Sequence, residues 1–156
     1  MRVIAIDPGY GRCGVAVLDR ARGGDVLLYS ACLTTPARSP FHIRLVRIGK
    51  DVGTVIKKYA PTAFAIENLY FNTNQKTAMH VAEVRGALIY IASSSGLPIY
   101  EYTPPQVKAA VAGWGRADKK QMMSIVPKLI KIEKKIEHDD EFDAIALGIT
   151  HLASVR

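Results

Sequence analysis

The chain has 156 residues, is 49% hydrophobic and carries a formal net charge of +7. This length and apolar content fit one domain, residues 1–156, with a full-sized core and no room for a second domain. No apolar run approaches the roughly 18 residues of a membrane span, and the chain opens directly into a strand, so we expect a cytoplasmic protein without signal peptide or anchor. Two cysteines, Cys13 and Cys32, are too few for a disulfide scaffold.

The N-terminal part of the chain is predicted to form three strands. Apolar segments at residues 2–6, 13–18 and 26–33 are separated by turn sequences rich in proline and glycine at 8–11 and 23–24. Strands that follow one another through such short turns pair antiparallel. We therefore expect an antiparallel meander.

Helices and strands alternate after this meander. Periodicity and turn signals predict helices at 41–59 and 74–94 and strands at 63–66 and 98–102. Capping sequences at Thr103 and Asp118 predict two further helix starts, the second helix carrying Pro127, and a last helix covers 140–153. The order predicts an α/β fold with a mixed five-stranded sheet, three antiparallel strands then two parallel, flanked by helices, with strand four beside strand one.

Four carboxylates stand at the ends of these elements. Asp7 follows the first strand and Glu67 follows the fourth, so both are expected at the edge where open α/β sheets build their sites. Asp140 and Asp143 are three residues apart on the last helix and share a face. We expect all four side chains to converge.

Such a cluster favours metal-dependent phosphodiester chemistry. Oxygen ligands without nearby histidine or thiolate favour magnesium, with manganese as the alternative, and two such ions clamping a phosphate are usual in nucleases. Plainer roles exist, since Asp7 could only form a turn and Asp140 could only favour the positive end of the helix. These explain single residues but not the set. Asp139 and Glu141 are the adjacent alternatives to Asp140.

The excess positive charge lies just before the late aspartates. Between 108 and 135 there are eight basic residues and two acidic ones, and five carboxylates follow within 137–143. This pattern favours contact with nucleic acid, although a solvated helix face would look the same. Lys131, Lys134 and Lys135 are expected to contact phosphates together.

Five blocks of sequence, in order, resemble the RuvC family of Holliday junction resolvases. The resemblance spans essentially the whole chain, and although each block is weak alone, the ordered set is specific. The blocks are Ile6-Asp-Pro-Gly9, Ala65-Ile-Glu67 with Arg85-Gly86 downstream, Gln106-Val-Lys108, Gly113 to Lys119, and Asp140 to His151.

The resemblance implies a ribonuclease H-like fold, a homodimer, and magnesium-dependent nicking of two opposed strands of a four-way DNA junction in recombination and repair. The RuvA–RuvB branch-migration complex is the partner that it implies. Asp7, Glu67, Asp140 and Asp143 match the family's catalytic, metal-holding acidic residues, and Lys108 and Lys119 match its two functionally important lysines.

Contacts to DNA are expected from residues around this site. The family places an aromatic residue near Tyr70, but Phe71 suits base stacking equally well. Arg116 and Lys120, in the basic segment, are further candidates. Trp114 could stack on DNA or fold back as a hydrophobic plug.

The second long helix is the predicted dimer surface. Gly86 inside a helix costs about 1 kcal/mol relative to alanine, which suggests a close backbone approach. Met79, Ala82 and Tyr90 would surround it.

Two other classes of function are compatible with the sequence. One is a ribonuclease H-like nuclease acting on another nucleic acid, such as precursor ribosomal RNA. The other is a non-catalytic junction-binding protein, which the presence of all four carboxylates argues against. An actin-like nucleotide binder would need two such domains, which 156 residues cannot supply.

Overall fold

The computed structural model describes residues 1–69 and 75–155, except the side chain of Gln75. Five strands form one sheet in the order β3-β2-β1-β4-β5. The β1–β2 and β2–β3 pairs are antiparallel, and the β1–β4 and β4–β5 pairs are parallel, which confirms the predicted mixed sheet. The strands are β1 (Arg2–Asp7), β2 (Arg12–Ala21), β3 (Gly24–Thr34), β4 (Ala63–Glu67) and β5 (Ile99–Tyr102).

Five helices lie among the described residues. They are α1 (Phe41–Tyr59), α2 (Gln75–Ser94), α3 (Pro104–Ala112), α4 (Lys119–Leu129) and α5 (Asp139–Ser154). Their bounds agree with the predicted helices to within a residue or two. None of these helices combines the length and apolar character needed to cross a membrane.

The β2–β3 hairpin is longer than predicted. Asp19, Arg20 and Ala21 continue β2 and pair with the beginning of β3. The outer end of the hairpin is solvated, so the pairing continues without the apolar pattern that predicts a strand.

Capping boxes fix the start of two helices. Thr103 accepts a hydrogen bond from the Gln106 backbone N–H, and the Gln106 side chain accepts one in return. Asp118 and Gln121 make the same reciprocal pair at the start of α4. The second box places Lys119 at the first position of α4.

The sheet buries apolar side chains on both faces. In β1, Val3 and Ala5 belong to the core formed with α3, α4 and α5, whereas Ile4 and Ile6 belong to the core formed with α1 and α2. Because side chains alternate along a strand, the next residue, Asp7, is directed toward the side that α5 covers.

Candidate active site

Asp7 and Glu67 end two neighbouring parallel strands. The register pairs Ile6 of β1 with Ile66 of β4, so the two carboxylates that follow are adjacent. Ala63 and Ala65 face the α5 side of the sheet, and alternation directs Glu67 to that side as well. The strand ends therefore present two carboxylates to one helix.

The first turn of α5 lies directly on this edge. Gly14 of β2 is the register partner of Asp7, and a Cβ atom built on Gly14 would overlap the carbonyl oxygen of Asp140. Only a residue without a side chain lets the helix backbone come this close. The contact brings Asp140 and Asp143 over the ends of β1 and β4.

The four carboxylates interact electrostatically. The pKa of Asp7 is raised well above its ordinary value by burial, and then by Asp143, Glu67 and Asp140. Burial, followed by Asp143, raises the pKa of Glu67 to about 7, and burial also raises the pKa of Asp143. The structure thus gathers the predicted acidic set into one cluster that would be stabilised by positive charge.

Both predicted lysines border the same cavity. Lys108 and Lys119 line a cleft of about 230 Å³ together with Glu67 and Asp143. The Nζ atom of Lys119 is 3.9 Å from Oδ2 of Asp143. Lys119 lowers the pKa of Asp143, which partly offsets the rise caused by burial. The cleft is therefore lined by side chains of both charge signs.

Two residues in this site were absent from the predicted acidic and basic set. Asp139 accepts a hydrogen bond from Lys119, which lowers the pKa of Asp139 to about 2 and raises that of Lys119. Arg12 Nη2 lies 3.7 Å from Asp139 Oδ1, and Arg12 Nε lies 3.0 Å from Asp140 Oδ2. From the sequence, Asp139 is only an alternative to Asp140. The sequence signal for Arg12 is its position, because this cationic residue directly follows the turn at 8–11 that begins after Asp7.

The donor chemistry fits a hard divalent cation. Oδ2 of Asp140 is buried and makes no hydrogen bond within the described part of the chain, although Arg12 is near it. Asp7, Glu67, Asp140 and Asp143 offer carboxylate oxygens, the ligand type that magnesium and manganese prefer. Across residues 1–69 and 75–155, no three His, Cys, Asp or Glu side chains already stand in a coordinating arrangement. Arg12 and Lys119 instead hold the acidic side chains of the α5 turn.

The residues predicted to contact DNA remain predictions, and the structure gives the exposure of three of them. Arg116 and Lys120 are exposed beside the first turn of α4. Trp114 is 50% exposed, so it does not plug the core. Tyr70 and Phe71 lie outside the described residues, and their role stays a prediction.

The predicted dimer face is an uncovered stripe of α2. Met79 is 60% exposed and Tyr90 73% exposed, and Ala82 is partly exposed on the same helix face. A Cβ atom built on Gly86 would meet no described atom within 4 Å. Contacts within the described chain therefore do not explain this glycine.

Comparison with known proteins gives consistent matches. The family model described as crossover junction endodeoxyribonuclease RuvC matches residues 3–151. The RuvC protein of Desulfitobacterium hafniense strain DSM 10664 / DCB-2 is 39% identical over 156 residues, covering 100% of this chain and 94% of that protein. That of Caldanaerobacter subterraneus subsp. tengcongensis is 40% identical over 154 residues, covering 99% and 93%.

Solved structures agree with these relatives. Thermus thermophilus RuvC superimposes with a TM-score of 0.87 at 31% identity, covering 97% of this chain and 93% of that one. The same protein in complex with a Holliday junction substrate gives 0.91 at 30% identity, covering 100% and 95%. The fold is therefore the predicted ribonuclease H-like one. With a family model matched along almost its whole length, this chain belongs to the RuvC family of crossover junction endodeoxyribonucleases.

Proposed function

We propose that the chain is a structure-selective endonuclease that resolves four-way DNA junctions by paired, symmetric, metal-dependent nicks in recombination and repair. The observation that carries this proposal is the carboxylate cluster where α5 meets the ends of β1 and β4, beside Lys108 and Lys119. The relatives that match the chain bear the name crossover junction endodeoxyribonuclease, and one was solved with a Holliday junction.

Different residues of the chain would bind the metal and stabilise the charge that develops on the phosphate. Asp7, Glu67, Asp140 and Asp143 would hold Mg²⁺, with two ions per site as the proposed number and Mn²⁺ as the alternative. The bound metal would supply activated water and charge neutralisation for an in-line displacement. Lys119 and Lys108 would add positive charge where the phosphate becomes more negative.

Release of the internal ion pairs is part of this proposal. Lys119 and Arg12 contact Asp139 and Asp140, so positive charge already balances the α5 turn. A cation or a phosphate that enters the cleft offers these groups new partners of opposite sign. Lys119 would then turn from Asp139 toward the substrate.

We propose a homodimer because a junction needs two nicks and each chain carries one acidic cluster. A two-fold axis would give two sites facing a substrate of matching symmetry. The exposed α2 stripe with Gly86, Met79, Ala82 and Tyr90 supports a self-complementary contact.

The proposed substrate also bears on the cellular location, and the family resemblance bears on the partner complex. The named relatives come from bacteria, whose chromosomal DNA lies in the cytoplasm, so we propose a cytoplasmic location for this chain. Association with a RuvA–RuvB complex stays a prediction from the family resemblance.

The direct test is incubation of the purified protein with a mobile four-way junction and Mg²⁺, followed by mapping of the nicks on denaturing gels. We expect nicks at matching positions in two strands of like polarity, with ends that ligase can seal. A linear duplex and a structured RNA of equal length serve as controls. Preferential cutting of the RNA would favour the alternative nuclease class, and tight junction binding without cutting would indicate a non-catalytic binder.

A further inference from the structure

Glu141 is a buried carboxylate inside the catalytic turn of α5. Its side chain is only 6% exposed, although it lies between Asp140 and Asp143 in sequence. At about 100° per residue, Glu141 projects well away from the face that Asp140 and Asp143 share. It therefore faces β3 and not the carboxylate cluster.

Two groups on neighbouring elements hold this side chain. Ser30 of β3 donates its hydroxyl to Glu141 Oε1 at 2.5 Å. The Lys134 ammonium is 2.7 Å from the same oxygen and donates to the Ser30 carbonyl oxygen at 2.6 Å. We call these three residues the Glu141 clamp.

The clamp closes a ring between three parts of the fold. Ser30 belongs to edge strand β3, Glu141 to the first turn of α5, and Lys134 to the segment 130–138 that joins α4 to α5. Lys134 is 50% exposed and can reach water, whereas Ser30 and Glu141 are buried. Rotation of the α5 turn would break both contacts to Glu141.

A buried ion pair is weak evidence for stability, because desolvation offsets much of the attraction, but such groups can select one arrangement among several. In this protein, the buried ion pair would select one rotation of α5 about its own axis. A side-chain end about 5 Å from that axis moves by about 1 Å for a rotation of about 10°. A displacement of that size can reduce a reaction rate by about 100-fold.

We propose that Glu141 is a positioning residue that acts with Ser30 and Lys134 to fix the rotation of α5, and so to aim Asp140 and Asp143 at Asp7 and Glu67. This role rests on the proposed nuclease activity of the same cluster. The Gly14 contact sets how close the helix comes to the sheet, and the Glu141 clamp sets which way its first turn faces.

The variants Glu141→Gln and Lys134→Met test this role by removing the ion pair while keeping side-chain length. Glu137→Gln is the matched control, because it removes the same charge from an exposed position four residues earlier. Two quantities are measured on the full-length protein: the cleavage rate at saturating junction, and the affinity for Mn²⁺ alone by electron paramagnetic resonance titration.

Both clamp variants should lower the cleavage rate between 10- and 100-fold. They should also weaken Mn²⁺ binding by about 10-fold. The junction Kd should change less than about twofold in Glu141→Gln, which removes no side chain expected to contact phosphate. Glu137→Gln should alter neither quantity by more than about twofold. Thermal melting identifies variants that have lost their fold. If Glu141→Gln does not fold, the cleavage rate and Mn²⁺ affinity of Lys134→Met test the positioning role.

Unchanged rates and Mn²⁺ affinities in the folded clamp variants would overturn the proposal. An equal loss in Glu137→Gln would also overturn it, because the effect would then be long-range charge alone. If the wild-type protein cuts no junction but clamp variants still weaken Mn²⁺ binding, the proposed function fails and the positioning role stands.

Discussion

Burial and three neighbouring carboxylates disfavour the ionised form of Asp7. Burial, Asp143, Glu67 and Asp140 all raise its pKa. Asp7→Asn keeps the shape of the side chain and removes one negative charge from the cluster. We expect cleavage to be lost while junction binding is kept or slightly strengthened, because the removed anion repels phosphate. Nick assays and gel-shift titrations in Mg²⁺ measure the two effects.

Asp51→Asn is the matched control for that variant. Asp51 lies in α1, beneath the opposite face of the sheet. We expect its rate and affinity to match the wild type within about twofold. Metal-dependent nicking by Asp7→Asn, in a preparation free of other nucleases, would contradict the assigned role of Asp7.

Glu67 makes the stability of the metal-free protein depend on pH. Burial, followed by Asp143, raises its pKa from 4.5 to about 7 in the folded protein. Between these values the folded state binds more protons than the unfolded chain, so the free energy of unfolding falls as pH rises. The full change would be on the order of 3 kcal/mol. We expect Glu67→Gln to remove this part of the slope.

Chemical denaturation in EDTA at pH values from 4 to 8 checks the slope. The Glu67→Gln variant should equal the wild type near pH 4 and exceed it in stability at pH 8. Mg²⁺ should recover stability in the wild type at high pH and much less in the variant, because metal binds the deprotonated carboxylate. Parallel curves for both proteins in EDTA would contradict the proposed protonation.

Helix α4 places two neighbouring lysines in different surroundings. Lys119 contacts Asp139 and lies 3.9 Å from Asp143, whereas Lys120 is exposed beside it. We expect Lys119→Ala to lower the cleavage rate more than the affinity. Lys120→Ala should lower affinity and reduce the slope of log K against log salt by about one phosphate contact. Rates at saturating junction and binding at several salt concentrations separate the two outcomes.

Contacts within the chain bear on which lysines of the basic segment can touch DNA. Lys134 is engaged by Ser30 and Glu141, and Lys131 is 2.7 Å from Glu133. Lys131 and Lys134 therefore already have partners within the chain, which would compete with phosphate for the joint contact expected of Lys131, Lys134 and Lys135.

Equal salt slopes for the wild type and Lys120→Ala would remove Lys120 from the proposed DNA surface.

Elements with a strong local signal were predictable from the sequence. The strands β1 and β4 are short apolar runs, so the positions of Asp7 and Glu67 at their ends followed. The Thr103 and Asp118 boxes mark helix starts directly, whereas Lys119 was a candidate only through the family resemblance. The Asp19–Ala21 extension of β2 carries no apolar pattern. The contacts of Arg12 and Glu141 join residues distant in sequence, and single-residue propensities do not contain such pairs.

At the scale of the whole molecule, the open stripe of α2 carries the dimer prediction. Gly86→Leu adds a side chain where the described chain leaves space, so the monomer should keep its fold. Leucine should even favour the helix by about 1 kcal/mol. We expect the variant to dissociate more readily and to lose paired nicking together with dimerisation. Sedimentation velocity and nicking of both strands on a single supercoiled junction plasmid measure these effects.

Ala153→Leu supplies the control, because it adds similar bulk at an exposed position in the last turn of α5. It should leave the oligomeric state and paired nicking unchanged. A Gly86→Leu dimer as stable as the wild type, or a monomeric wild type that still nicks both strands symmetrically, would rule out this interface.

The contact between Gly14 and the Asp140 carbonyl oxygen also bears on how this chain can evolve. Gly14 is not among the glycines with positive φ, so its backbone conformation alone would admit alanine. The obstacle is an oxygen atom contributed by a residue more than a hundred positions away. A saturation library screened for function should therefore accept only glycine at this codon, and any second-site suppressor should map to the start of α5, where the helix could move outward.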